Sequence, residues 1–426
     1  MRFSLDVMRA RKGDCLMLHY GTKKQPRLIM IDGGPAGVYE PQLRPRIDRI
    51  RAARGLDDET PLPVDVLMVS HVDDDHIQGV LDLTTELREQ KANRQPPLLS
   101  VGSLWHNTFD DFLDTTPKEL DVAAGFGAAA LDGRIEVEDG EDLDVARVLA
   151  SIPQGRVLRD DATFLGKGTQ SWKINDKSKG KLIMAAKGGV PFSLDGGLTF
   201  TVVGPMQPQI TALQQDHDRW LKAQKKGKTK GAESSLAAFI DRSIPNLSSL
   251  VLLAKVGAKT MLLTGDARGD KILEGLQLSG LLKAGSTSTM HVDVLKVPHH
   301  GSANNVETSF FRRVTADQYV FSGNGEHGNP ERRTLEMLFE ARGKDPFVAI
   351  FTYPLDEIDA GRKVDWGKQQ DEDRKKGKKP RPNWSPKTQS LEAFFAARTL
   401  ATGQTVVTIK KDRHPHVIDL LDPLGV

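Results

Sequence analysis

The chain has 426 residues, enough for one large domain or two average ones and for a substantial core. Hydrophobic residues make up 38% and charged residues 27%, and a formal net charge of +2 gives no whole-chain argument for a polyanionic partner. Cys15 is the single cysteine, which excludes an intrachain disulfide and a cysteine-based zinc finger. No apolar run reaches the roughly 20 residues of a membrane helix. Charge interrupts "MRFSLDVMRARKGD" before a signal-peptide core could form, so a cytoplasmic protein without membrane contact is expected.

The first 34 residues alternate and turn: a strand, a turn at Lys12-Gly13-Asp14, a strand over Cys15–Tyr20, and a strand over Arg27–Ile31 ending at Asp32-Gly33-Gly34. "QLRPRIDRIRAARGL" has helical spacing and basic charge. "VDVLMVS" is a short β-branched run ending in "SHVDDDHIQG"; an amphipathic helix, "IQGVLDLTTELREQ", follows, and "PPLLSVGSLWHN" reads as another strand. Residues from about 110 to 245 carry a weaker pattern, with one strand at "GLTFTVVGP" and a charged, insertion-like stretch, "DRWLKAQKKGKTKGAESS". "SSLVLLAKVGAKTMLLTGDA" reads as a hairpin, "VDVLKVPHHGS" as a strand ending in a polar loop, and "QYVFSGNGEHGNPERRTLEMLFE" as strand, Gly-rich loop and helix. After Phe351 the chain turns polar, with "DRKKGKKPRPNW" solvated and a last strand at "QTVVTIKKD".

Strands repeatedly end in loops rich in Asp and His: at Asp32, His71–His76, Asp266, His299–His300 and His327. In layered α/β folds such ends converge. His71 and Asp73 are two apart and Asp75 and His76 adjacent, so a tight loop can aim them as two half-sites, the arrangement of a two-metal hydrolase. A solvated acidic turn would not need the flanking histidines. Asp266 after Gly265 would supply a bridging carboxylate, and "PHHGS" two candidate imidazoles. Alone, "LLTGDA" could be a turn and the paired histidines a hydrogen-bonded loop.

"SHVDDDHIQG", "SSLVLLAKVGAKTMLLTGDA" and "VLKVPHHGS" resemble the metallo-β-lactamase fold, and within it the hydrolase domain of the DNA-uptake protein ComEC and its stand-alone relatives, as does the opening "DVMRARKGDCLMLHY…LIMIDGG". The resemblance covers roughly residues 1–80 and 246–340. It implies an αββα sandwich over 1–350, with an insertion at about 110–245 and a partly flexible C-terminal extension over 351–426. It implies His71 and Asp73 as ligands of a first metal, and Asp75 and His76 as ligands of a second, with Asp75 also the proton acceptor. Asp266 is then the bridge, His300 a ligand, His299 a residue behind the metal or facing substrate, and Asp32 a support for the loop. His327 would donate a proton to a phosphate or leaving group; the alternative is an ordinary loop histidine.

The chain departs from that family where Asp73 replaces the usual second histidine and Asn246 the next one. The first half-site is thus oxygen-rich, with at best the Asn246 amide as a further donor. It suits Mn²⁺ better than Zn²⁺, or stays incomplete until substrate arrives. His106 in "SLWHN" is a further candidate donor. Two divalent ions are the expected cofactors, and a phosphodiester, including nucleic acid, the expected substrate. Lys222–Lys230 and Arg374–Arg381 could track phosphates or could simply be solvated. The alternatives are hydrolysis of a small ester, amide or thioester, and a weakly catalytic subunit that meets protein partners through the middle insertion.

Overall fold

Two of the first strands carry apolar residues in succession because both of their faces are covered. In β3 (Pro26–Ile31), Leu28 and Met30 join one hydrophobic cluster while Ile29 and Ile31 join another. In the computed structural model, which describes residues 1–112, 121, 124–125, 127–129, 152–208, 210–211, 249–285, 287–409 and 416–425, this two-sided burial recurs across two sheets.

The first sheet runs β15 (His416–Asp419), β1 (Arg2–Val7), β2 (Leu16–Gly21), β3, β4 (Leu62–Met68), β5 (Leu99–Trp105), β6 (Lys173–Ile174). The second runs β14 (Gln404–Thr408), β13 (Phe347–Phe351), β12 (Val314–Phe321), β11 (Met290–Lys296), β10 (Lys259–Leu263), β9 (Val251–Val256), β8 (Leu198–Gly204), β7 (Phe192–Ser193). Strands β3 to β6 are parallel neighbours, as are β10 to β14. The remaining neighbours are antiparallel, including the expected β9–β10 hairpin around Gly257.

Three cores define four layers. Phe3, Leu18, Ile29 and Met68 of the first sheet meet Phe200, Leu252, Met261 and Val294 of the second in one cluster. The outer face of the first sheet is covered by α1 (Arg44–Ala53), α2 (Asp74–Ala92) and α3 (Ile152–Gly166), through Ile47, Ile77, Leu83 and Leu158. The outer face of the second is covered by α4 (Gly269–Leu278), α5 (Thr308–Arg313), α6 (Arg332–Arg342), α7 (Leu355–Lys375) and α8 (Leu391–Ala396), through Ile272, Phe310, Leu338, Ile358 and Phe394. The fold is an αββα sandwich, as the resemblance implies.

The segment after Phe351 is woven into these layers. It supplies α7 and α8, and its strands β14 and β15 form an outer edge of each sheet. Neither α7 nor β15 was legible in its polar sequence. No described helix is long and apolar enough to cross a membrane.

Candidate metal centre

The parallel strands set the site. β3, β4 and β5 end on one side of the first sheet, and β10, β11 and β12 present their C-terminal ends to it from the second. Strand ends in such sheets are where loops are free to carry chemistry. Asp32 follows β3, His71–His76 follows β4, Asp266 follows β10, and His299–His300 follows β11. β2 runs antiparallel to β3, with Leu16 beside Ile31, so the turn before β2 lands at the same edge and brings Asp14 with it.

Tight backbone contacts lock these loops together. A Cβ at Gly79 would lie 2.0 Å from the Gly33 carbonyl oxygen, and one at Gly13 would lie 1.8 Å from that of Asp75. The Gly33 N–H donates to the His76 carbonyl at 2.8 Å, and the Gly79 N–H to that of Gly34 at 2.9 Å. The two glycines after Asp32 are therefore the seat of α2, whose first turn carries Asp75 and His76.

Asp266 lies at the centre. Its Oδ1 is 3.3 Å from His76 Nε2 and 3.5 Å from His300 Nε2; its Oδ2 is 3.7 Å from His71 Nε2 and 3.8 Å from His299 Nε2. His71 Nε2 lies 3.5 Å from Asp73 Oδ2, and His300 Nε2 3.8 Å from Asp75 Oδ2. These separations are long for hydrogen bonds. The shorter ones lie near the edge of a tetrahedron of donors around an ion with bonds of 2.0–2.1 Å, roughly 3.3–3.4 Å, and the 3.7–3.8 Å ones are a few tenths of an ångström wider. His71 Nε2, His76 Nε2, His300 Nε2, Asp73 Oδ1 and Asp266 Oδ1 are buried without a hydrogen-bond partner. Orphaned polar atoms that converge in this way cost free energy unless a cation meets them. The residues therefore fit divalent metal.

The outer ring nitrogens are held. Ser70 Oγ lies 3.0 Å from His71 Nδ1, Asp32 Oδ2 lies 2.8 Å from His76 Nδ1, and Ser322 Oγ lies 2.9 Å from His300 Nδ1. Each contact turns Nε2 inward, the usual second layer of a histidine metal site. Ser70 also donates to Asp32, through its N–H and its hydroxyl, both at 2.7 Å. Asp32 adopts φ +57, a left-handed geometry that Asp tolerates better than most residues.

Asp14 and Lys296 were not singled out from the sequence. The Lys296 ammonium is buried and lies 2.5 Å from Asp14 Oδ2, while Asp14 Oδ1 lies 3.5 Å from His300 Nδ1. Asp14, His76, Asp266 and His300 each offer a ligand atom within 4.8 Å of the others. Because Asp14 faces the outer nitrogen of His300, beside Ser322, we place it behind that ring. The only signal in sequence was a lone lysine in the apolar run before "PHH".

Charge in the cluster is strongly coupled. Burial opposes ionisation of Asp266, but His300, His76 and His299 hold it well below the carboxylate range. Burial likewise opposes Asp75, which His76 and His300 hold down, and Asp14, which Lys296 and His300 hold down. Burial disfavours charge on His76, yet Asp266 and Asp32 raise it well above the usual value. Burial disfavours charge on His300 too, but Asp266, with Asp14 added and Lys296 opposing, raises it to about 9. The ion-free cluster thus holds protons that a metal would displace.

The structure brings His71, Asp73, Asp75, His76, Asp266, His299 and His300 together. Asn246 and Lys222–Lys230 lie outside the described residues. His327 is exposed at φ +59, outside this buried group, in a loop that α7 grips through Arg362 Nε donating to the Gly328 carbonyl at 3.0 Å. His106 is fully buried at the end of β5; burial, then the Arg159 guanidinium, pushes its ring down to about 3. Asp74, between the two donor pairs, is half-buried and receives the Gln154 amide of α3 at 3.4 Å.

No family model matches the chain. Microtubule-associated protein 1A of Rattus norvegicus is 40% identical over 63 residues, 15% of this chain and 2% of its own length. The Mus musculus protein is 38% identical over 73 residues, 15% of this chain and 3% of its own length. The chain thus spans only a few per cent of the curated relatives it matches. A motif-mutant metallo-β-lactamase from Cronobacter sakazakii aligns at 12% identity and a TM-score of 0.24, over 66% of this chain and 71% of that one. A likeness of that size does not define the fold, which rests on the layer order and strand register. These establish an αββα sandwich whose two sheets close around a buried His/Asp cluster fit for divalent cations.

Proposed function

We propose that this protein is a metal-dependent hydrolase acting on phosphodiesters. The observation that carries the reading is the convergence of unpartnered imidazole and carboxylate atoms on the two oxygens of Asp266. Divalent cations held there would supply Lewis-acid activation of water and of a phosphoryl oxygen. Charge count favours two ions: among the described residues, Asp14, Asp32, Asp73, Asp75 and Asp266 face one buried ammonium, Lys296. Asp266 presents one oxygen to each half of the cluster. Asp75, half-buried at the start of α2, stands where a carboxylate can accept a proton from the attacking water. Ser70, Asp32 and Ser322 keep the three imidazoles pointed inward, so no reorganisation is needed when substrate binds.

The carboxylates Asp73, Asp75 and Asp266 are hard donors of the kind that suit Mn²⁺. The phosphodiester assignment draws on the resemblance of the motifs to the ComEC hydrolase domain. Nucleic acid is the form of phosphodiester that resemblance suggests. Purified protein with Mn²⁺ is expected to cleave bis-p-nitrophenyl phosphate and single-stranded DNA, and Asp75→Ala and His76→Ala should each lose at least about 100-fold in rate. Full activity in either variant would sink the metal-centre reading. Turnover of a carboxylic ester with none of a phosphodiester would move the substrate class.

A further inference from the structure

We propose that both histidines of the Pro298–Gly301 turn are metal ligands, one in each half of the centre, with His299 completing the half built from His71 and Asp73. This inference rests on the metal-centre reading above. The donors sort by which oxygen of Asp266 they face. His76 and His300 face Oδ1, and His71 and His299 face Oδ2. Asp75 lies beside His300 on the first side and Asp73 beside His71 on the second. Each side therefore has two imidazoles, one terminal carboxylate and one oxygen of the shared carboxylate. Without His299 the second side would have one imidazole and two carboxylates.

The backbone is built for this division. His299 (φ 47, ψ 49) and His300 (φ 53, ψ 17) are consecutive left-handed residues and neither is glycine. Such a conformation is strained for a residue with a side chain and persists only where the surroundings impose it. Here it turns two neighbouring rings perpendicular, with centroids 6.0 Å apart, and sends their Nε2 atoms to opposite oxygens of one carboxylate. The His299 N–H donates to the Gly265 carbonyl at 3.2 Å, which pins the turn to the residue before Asp266. The His299 side chain keeps 22% of its surface exposed, so a ligand at this position can be reached from solvent. With an imidazole from position 299, the Asn246 amide is not required as a ligand.

The test is metal stoichiometry, read without activity. Wild type, His299→Gly, Asp73→Ala and His300→Ala are loaded with Mn²⁺ or Co²⁺, desalted and measured by elemental analysis, with the Co²⁺ absorption spectrum as a second readout. Glycine suits φ 47, so His299→Gly keeps the turn, and a thermal melt checks the fold. We expect two ions in wild type and one in His299→Gly, the same one that Asp73→Ala retains. The His299→Gly/Asp73→Ala double variant should lose nothing more, and His300→Ala should lose the other ion. Two ions in His299→Gly, bound within about threefold of wild-type affinity, would overturn the inference and leave the hydrolase reading standing. So would a single wild-type ion that His299→Gly retains. A wild type that takes up no ion would overturn both.

Discussion

The contacts around each imidazole make the roles of single residues measurable. Asp32 touches the outer nitrogen of His76 and nothing on the inner side, so Asp32→Ala should weaken Mn²⁺ binding by about 10- to 100-fold in a calorimetric titration. Unchanged affinity would show that Asp32 serves only the fold. Lys296→Met strands the Asp14 charge in the core and should cost about 3–5 kcal/mol in a denaturant melt; adding Asp14→Asn should recover most of that loss. pH gives an independent check. The His300 ring, ordinarily near 6.5, titrates at about 9 in the ion-free protein because Asp266 and Asp14 outweigh burial and Lys296. Below about 9 an incoming ion must displace that proton, so apparent affinity should climb with pH through that range, by up to tenfold per unit per proton. The ion-free fold has the opposite sign. Its stabilisation by the His300–Asp266 pair is complete below 6.5 and is lost as pH rises through about 9. Affinity that is flat between pH 6 and 9 would contradict a protonated cluster.

The strand–loop–helix unit from β4 to α2 was legible because its signals are local. A β-branched run, two ligand pairs and an amphipathic repeat all fall within 25 residues or so. Its seat was not legible, because it lies on another strand. Gly33 and Gly79 touch backbone to backbone, and no periodicity reports that approach. Gly79→Ala should therefore push α2 off the Gly33 loop and cost about 1–3 kcal/mol. It should also reduce metal uptake, since Asp75 and His76 ride on the same turn. Melting at the wild-type temperature with full metal content would refute that coupling. The β1–β2 turn was read only as a turn. Asp14 acquires a role there because β2 pairs antiparallel with β3, which places the start of one strand beside the end of the other.

At the scale of the molecule, the C-terminal segment adds an edge strand to each sheet. β14 covers β13 and β15 covers β1, so removing residues 401–426 would bare one edge of each sheet. Exposed edges invite pairing between chains. The truncated protein should elute as larger species on gel filtration and melt earlier than the full chain; a monomer of unchanged stability would show that other elements protect those edges.

The linear pattern was enough to show which loops carry Asp and His and that strands deliver them. Those features are local in the chain, and spacing reports them. How the donors divide is legible in three dimensions alone. The two oxygens of Asp266, the left-handed pair at His299 and His300, and the Asp14–Lys296 contact behind one ring depend on distances between separate sheets. A linear pattern carries no record of such distances, because they follow from strand order and from the close packing of the inter-sheet core.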